Sequence, residues 1–280
     1  GGHFYPLIAV ARSIFKIAES ERIAKIEIFF AADHPINKDL LEKDGIRFIK
    51  VSAGKLRRYF SILNFSDSLK TFFGVFKAFF TLYKILPDII FGKGGYSSFP
   101  ILLSAKILQI PVVIHESDSM PGMVTRWAGK WAKKIIVSFP ATARFFDKER
   151  VIVSGNPIRM QVLGGNESEA LEHFNLEVDV PVILVMTGSL GAEKVNEAVL
   201  DALPELIAEY QIIHQTGDKN FKDVEGRARV VLENTYLKHR YHPFPFLDEG
   251  SLKNAGKVAS LVVSRAGAGA IFEIAAWGLS

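Results

Sequence analysis

The chain has no cysteine, which excludes disulfides, thiolate metal sites and a cysteine nucleophile, and accords with a reducing compartment. It has no Asp-x-Asp pair and no G-x-x-x-x-G-K-[ST] loop. The first absence removes the carboxylates that a metal-dependent sugar transferase places beside phosphates, and the second disfavours a P-loop NTPase. There is no G-x-S-x-G elbow, because Gly188-Ser-Leu-Gly191 is one residue too short. The seven histidines show no metal-ligand spacing. No apolar run approaches the ~18 residues of a spanning helix, and no secretory signal is visible. A glycine turn with no strand before it, and an end just beyond a helical pattern, read as a chain lacking its first strand and its final segments.

What the sequence does have is a repeated unit. Asp88-Ile-Ile-Phe91 leads into Gly92-Lys-Gly-Gly-Tyr-Ser97, Val182-Ile-Leu-Val-Met186 into Thr187-Gly-Ser-Leu-Gly-Ala192, and Leu261-Val-Val263 into Ser264-Arg-Ala-Gly-Ala-Gly-Ala270. A fourth turn, Gly1-Gly2-His3, opens the chain. Strand, glycine turn, helix aims backbone N–H groups and a helix N-terminus at an anion. One such turn is weak evidence, but their presence in both halves points to a nucleotide-type ligand between two Rossmann-like domains.

Length and charge support two halves. At 280 residues the chain exceeds one ordinary core. Its 49% apolar and 23% charged residues mark it as globular. Residues 1–140 carry a net +9 and residues 141–280 a net −5, so only the first half is expected to meet an anionic surface. The periodicity predicts helices over 6–18, 37–44, 66–83, 97–108 and 121–132, with strands at 25–31, 47–51, 88–91, 111–115 and 134–137. A turn-rich connection follows around 155–157 and 164–168. The second half predicts strands at 182–186, 211–215 and 261–263, helices at 192–208, 248–255 and 268–276, and an unassigned stretch over 219–246. This alternation implies α/β domains with parallel sheets, divided as 1–157 and 158–280.

Several stretches together are recognisable. Gly1-Gly-His-Phe-Tyr-Pro6 resembles the end of a GGTGGHxxP loop. Gly92-Lys-Gly-Gly-Tyr-Ser-Ser-Phe-Pro100, Pro111-Val-Val-Ile-His-Glu-Ser-Asp118 and Pro121-Gly122 resemble GxGGYxSxP…P…HEQN…PG. Ser154-Gly-Asn-Pro-Ile-Arg159, Thr187-Gly-Ser-Leu-Gly-Ala192 and Ser264-Arg-Ala-Gly-Ala268 with Glu273 resemble GNPVR, GGSQGA and SRAGAxxxxE. In this order, over essentially the whole chain, they resemble the MurG family of N-acetylglucosaminyltransferases. The resemblance implies a GT-B fold, two Rossmann-like domains with parallel sheets facing across a cleft. It implies inverting, metal-independent transfer of N-acetylglucosamine from UDP-GlcNAc to the C4 hydroxyl of MurNAc in undecaprenyl-pyrophosphoryl-MurNAc-pentapeptide (lipid I), giving lipid II. UDP-GlcNAc is then a substrate and no cofactor is expected. The other implied partners are an anionic membrane surface and further cell-wall synthesis and division proteins, with no nucleic acid. The implied location is peripheral, on the cytoplasmic face of the bacterial inner membrane.

The same resemblance assigns roles. His3 is the candidate general base and Glu116 the rival carboxylate, while His115 reads as shaping its turn. Around UDP-GlcNAc it places Gly1, Gly2, Asp118, Arg159, Gly188, Ser189, Leu247, Arg265, Ala268, Gly269, Ala270, Ile271, Phe272 and Glu273. Within that set Glu273 accepts the ribose hydroxyls, Ser189 donates to the pyrophosphate and the Leu247 backbone faces uracil. Gly94, Gly95, Tyr96 and Ser97 fall to the acceptor. Two positions depart from the pattern: Leu190 stands where GGSQGA has Gln, and Asp118 where HEQN has Asn. A diacylglycerol-glycosylating GT-B relative and a non-catalytic nucleotide-sugar-binding protein stay open as alternatives.

Helix 66–83 bears on the membrane. Leu69, Phe72, Phe76, Phe79 and Tyr83 share one stripe at helical periodicity and are expected in the core. Lys70, Lys77 and Lys84 recur opposite, with Phe73 and Phe80 between the two lines. Exposed aromatics beside lysines suit an anionic-lipid interface, which Arg57, Arg58, Trp127, Trp131, Lys133 and Lys134 could extend.

Overall fold

A computed structural model of the chain describes residues 4–34, 37–52, 63–188 and 191–279, with backbone only for 63–69. The chain divides into Leu7–Pro157 and a second unit of Ile158–Ser280 with Gly1–Pro6.

Helix α1 (Phe4–Ser20), which belongs to the first unit from Leu7 onward, precedes strand β1 (Phe29–Ala32), helix α2 (Lys38–Lys43) and strand β2 (Arg47–Lys50). Asn37 caps α2 by accepting the Leu40 N–H at 2.9 Å. β1 and β2 pair in parallel, beginning with Phe29 opposite Arg47. The expected strand from Lys25 therefore starts four residues late, since its four-residue partner offers no earlier register. Helix α3 (Leu63–Ile85) then leads to β3 (Ile90–Gly92), α4 (Phe99–Ile107), β4 (Val112–Glu116), α5 (Met123–Gly129), β5 (Lys134–Val137) and β6 (Val151–Val153). The last four strands form a parallel sheet in the order β3-β4-β5-β6. Ile114 and Ile135 pair at its centre and are buried with Leu102, Ala105 and Val137.

Helix α3 buries a different stripe from the one the sequence predicts, with Phe79 half-buried at its border. Among its described side chains Gly74, Ala78 and Leu82 are the buried ones, and the helix packs on α4. Phe72, Phe76 and Tyr83, expected in the core, are 60–65% exposed. Phe73 and Phe80 are exposed too, as are Lys70, Lys77 and Lys84. The small residues decide this, because a Cβ on Gly74 would collide with the Ser52 carbonyl oxygen. A backbone approach that close excludes phenylalanine from the contact face. Leu69's side chain, Arg57 and Arg58 lie outside what is described. No helix among the described residues is long and apolar enough to cross a membrane.

In the second unit come α6 (Glu167–Phe174), β7 (Val182–Met186), α7 (Glu193–Glu209), β8 (Gln211–Gln215), α8 (Phe221–Val231), β9 (Tyr241–Phe244), α9 (Glu249–Val258), β10 (Ala259–Ser264) and α10 (Ala268–Trp277). The strands form a parallel sheet ordered β10-β7-β8-β9. β7 and β8 are central and almost wholly buried, and β7 reads as a continuous apolar run for that reason. Helix α10 is fastened at its far end. The Trp277 indole donates to the Val162 carbonyl at 2.8 Å, and its ring lies against Gly256, where a Cβ would overlap it.

Candidate active site

Of the residues expected around the donor, Gly188, Arg265 and the start of the 268–273 stretch lie at the carboxyl ends of β7 and β10 in the Ile158–Ser280 unit, whereas Asp118 lies in the other unit. Val182–Met186 runs into a turn in which Gly188 has φ +82° and the Gly191 N–H donates to the Gly188 carbonyl at 3.0 Å. Gly191 (φ +77°) has no room for a side chain, since a Cβ would meet Asn220 and the Thr216 carbonyl. The turn's root is tied to β8 through the Thr187 hydroxyl, which donates to the Gln215 carbonyl at 2.5 Å. Arg265 reaches the same turn: its guanidinium donates to the Thr187 carbonyl at 3.3 Å and lies beside Gly188. Helix α10 starts after Gly267 with no side-chain cap. Its first-turn N–H groups, at Ala268, Gly269 and Ala270, are thus set on small residues that a ligand can approach closely.

Glu273, one turn into α10, is buried, and so is Arg159. The two form a bidentate pair, Arg159 Nε donating to Glu273 Oε1 at 2.9 Å and a terminal nitrogen to Oε2 at 3.1 Å. Glu249 adds a longer contact to Arg159 at 3.9 Å. A carboxylate offers about four lone-pair sites, so each Glu273 oxygen keeps a further acceptor position. Leu247 is buried, and its N–H donates to Gln215 Oε1 at 3.2 Å. Ile271 is exposed and Phe272 half-buried.

Behind the turn lies a chain of polar side chains that sequence reading missed. His214 contacts Asn196 Oδ1 at 3.1 Å and the Tyr241 hydroxyl at 2.8 Å, and Asn196 donates to the Thr216 carbonyl at 3.0 Å. Burial pushes His214 down to about 4 and the Tyr241 hydroxyl well up. Alternation of His214 with Ile213 in a strand carries no signal for such a network.

In the Leu7–Pro157 unit, polar groups collect at the carboxyl end of the β3-β4-β5-β6 sheet, the usual ligand end of a parallel sheet. Gly94 and Gly95 have φ of +67° and +79°. The Ser98 hydroxyl lies 2.9 and 2.8 Å from their carbonyl oxygens. Tyr96 is half-buried and Ser97 exposed. Glu116 is buried, and its two oxygens accept the N–H groups of Asp118 and Gly122, both at 3.1 Å. The Asp118 carbonyl accepts from Thr142 at 3.0 Å, leaving its carboxylate exposed. Lys93, also unanticipated, is buried with His115 and Asn156. Gly1, Gly2, His3, Ser189 and Leu190 lie outside the described residues.

Residues 1–137 match the glycosyltransferase family 28 N-terminal domain and residues 182–280 the family 28 C-terminal domain. The chain is 40% identical over 248 residues, 88% of its own length and 67% of the relative's, to UDP-N-acetylglucosamine–N-acetylmuramyl-(pentapeptide) pyrophosphoryl-undecaprenol N-acetylglucosamine transferase 2 of Bacillus cereus. It is 38% identical over 276 residues, 98% and 73% of the two lengths, to the transferase of the same description from Lachnospira eligens. Among solved structures it is similar to Acinetobacter baumannii MurG, with a TM-score of 0.60 at 24% identity over 96% of this chain and 69% of that one. That likeness gives the GT-B fold.

Proposed function

This chain belongs to the MurG family of family 28 glycosyltransferases, and from that premise we propose that it transfers N-acetylglucosamine from UDP-GlcNAc to the MurNAc C4 hydroxyl of lipid I, giving lipid II. The observation that carries the donor half is the convergence of the Gly188 turn, Arg265 and the uncapped start of α10 in one unit. In the reaction the C4 oxygen attacks C1 of the sugar, and the bond from C1 to the pyrophosphate oxygen breaks. UDP leaves from the opposite face, so the anomeric carbon inverts. The charge gathering on the pyrophosphate is met by Arg265, Ser189 and the first-turn amides of α10, fixed donors that need no rearrangement as charge develops. Glu273 receives the ribose hydroxyls beside Arg159, and the Leu247 backbone faces uracil. With the charge handled by arginine and amides, and with no Asp-x-Asp, the transfer runs without a metal.

His3 takes the C4 proton. Glu116 suits that task less, since both its oxygens already hold the 118–122 loop. Residues 1–157 serve the acceptor, through Gly94, Gly95, Tyr96 and Ser97. The exposed aromatic and lysine face of α3 supports peripheral seating on an anionic membrane, on the side where UDP-GlcNAc is available.

Incubation with labelled UDP-GlcNAc and either a lipid I analogue or diacylglycerol, in detergent and with or without EDTA, tests this reading. Labelled disaccharide from the lipid I analogue, unaffected by EDTA, is the expected result. Product from diacylglycerol alone, donor binding without turnover, or loss of activity in EDTA would each overturn a stated part.

A further inference from the structure

Lys93 lies between two glycines of the acceptor turn, yet its side chain is turned into the protein and only 4% exposed. Its ammonium donates to Asn156 Oδ1 at 2.7 Å and meets His115 Nδ1 at 3.0 Å. An ammonium has no acceptor capacity, so His115 Nδ1 must accept. The ring proton therefore sits on Nε2, which donates to the Gly155 carbonyl at 3.2 Å. A buried cation is costly unless it is paired or has work to do, and neither Asn156 nor neutral His115 carries a countercharge.

The surroundings indicate what the charge is for. Glu116 and Asp118 stand close enough to act electrostatically on Lys93. Without the ammonium, this sheet end would hold two carboxylates and would repel an anion. The turn beside Lys93 has the opposite disposition. The Gly94 and Gly95 carbonyls point to Ser98, and in a planar trans peptide the next N–H points the other way. The amides of Gly95 and Tyr96 thus face away from Ser98, as an anion cradle requires.

We propose that Lys93 is a positioning residue for the acceptor: clamped by His115 and Asn156, it fixes the backbone of the 92–98 turn and supplies the buried positive charge that lets a pyrophosphate settle there despite Glu116 and Asp118. This rests on the transferase reading above. It adds that acceptor affinity depends on a charge that touches neither the donor nor the reacting atoms. Burial draws the ammonium down to about 8, with Glu116 and Asp118 pulling back the other way. The charge is therefore present at neutral pH and fades above about pH 8.

The test is steady-state kinetics of wild type and Lys93→Met, with UDP-GlcNAc and a short-chain lipid I analogue varied independently from neutral to alkaline pH. Lys93→Met is expected to raise the acceptor KM by about tenfold or more with the donor KM within about twofold, since uniform binding to one substrate is lost. The wild-type acceptor KM should climb above about pH 8, and that of the variant should stay flat. A folded variant with an unchanged acceptor KM overturns the proposal. If Lys93→Met does not fold, the wild-type profile decides alone, and an acceptor KM that is flat across this range refutes it. A wild type that turns over no acceptor at neutral pH overturns the transferase reading itself.

Discussion

Removing the charge of Glu273 should be felt twice, once in stability and once in donor binding, and the two effects can be separated. In Glu273→Gln the buried Arg159 loses its nearer countercharge, with Glu249 left at 3.9 Å, and one of two hydrogen bonds at 2.9 and 3.1 Å. Breaking a buried pair from one side costs about 3–5 kcal/mol. At a few degrees per kcal/mol for domains of this size, the melting temperature should fall by roughly 10 °C. Loss of a charged hydrogen bond to the ribose contributes a further ~1.5–3 kcal/mol, or roughly 10- to 150-fold in UDP Kd. Repeating the change in an Arg159→Met background resolves the overlap, because the partner whose misplacement could mimic a binding defect is already gone. Scanning calorimetry of the four proteins gives the first number and calorimetric titration with UDP the second. If Glu273→Gln leaves UDP affinity unchanged once Arg159 is Met, the carboxylate serves only its arginine, and the ribose assignment is wrong.

His3→Ala should lower kcat far more than it raises the donor KM, because a positioned base acts in the transition state and is worth roughly 10²–10⁴-fold; near-normal kcat would pass the proton to Glu116 or to water. Phe73 and Phe80 together changed to Ser, or Lys70, Lys77 and Lys84 to Glu, should reduce sedimentation with anionic vesicles while a soluble acceptor is still used. The lysine effect should shrink in about 1 M salt, where the Debye length is about 3 Å; vesicle binding unchanged in both variants refutes the membrane face. Stability should fall with pH below neutrality. His214 and His242 are both held near 4 by burial, with His239 adding to the effect on His242. The unfolded chain therefore takes up protons that the folded chain refuses, and stability is lost between about pH 6.5 and 4, by up to ~3 kcal/mol for each histidine. A urea midpoint that is constant across that interval would contradict it.

How much of this was legible in the sequence depended on how strongly each segment's surroundings constrained it. Val182–Met186 and Gln211–Gln215, buried between two neighbours each, matched their expected bounds. Strand Val151–Val153 went unseen because it is three residues long, at a sheet edge, with two of them exposed. Helix Glu167–Phe174 was hidden behind Gly164-Gly165, although Asn166, which accepts the Glu169 N–H at 3.0 Å, was a readable cap. The buried face of α3 is not legible from hydrophobicity, because its most apolar stripe is not the one that packs. Gly74 and Ala78 win the interior by size, and periodicity alone does not weigh size. For the site, motif residues could be named in advance, but the Arg159–Glu273 pair spans 114 positions, and nothing local in either segment announces the other.

The seat of Trp277 on Gly256 makes α10 a lever with its fulcrum at its carboxyl end. At 1.5 Å of rise per residue, Glu273 stands about 6 Å up the axis from Trp277, little more than one turn. A methyl group added at position 256 would drive into the indole ring, and the rigid helix would carry that push to its amino end. The hydrophobic core can absorb a tilt of this kind by small repacking, whereas the two-point contact of Glu273 with Arg159 cannot. If Glu273 holds the donor as proposed, a lesion at Gly256, which touches Trp277, would therefore resemble a damaged binding site in a protein that is otherwise sound.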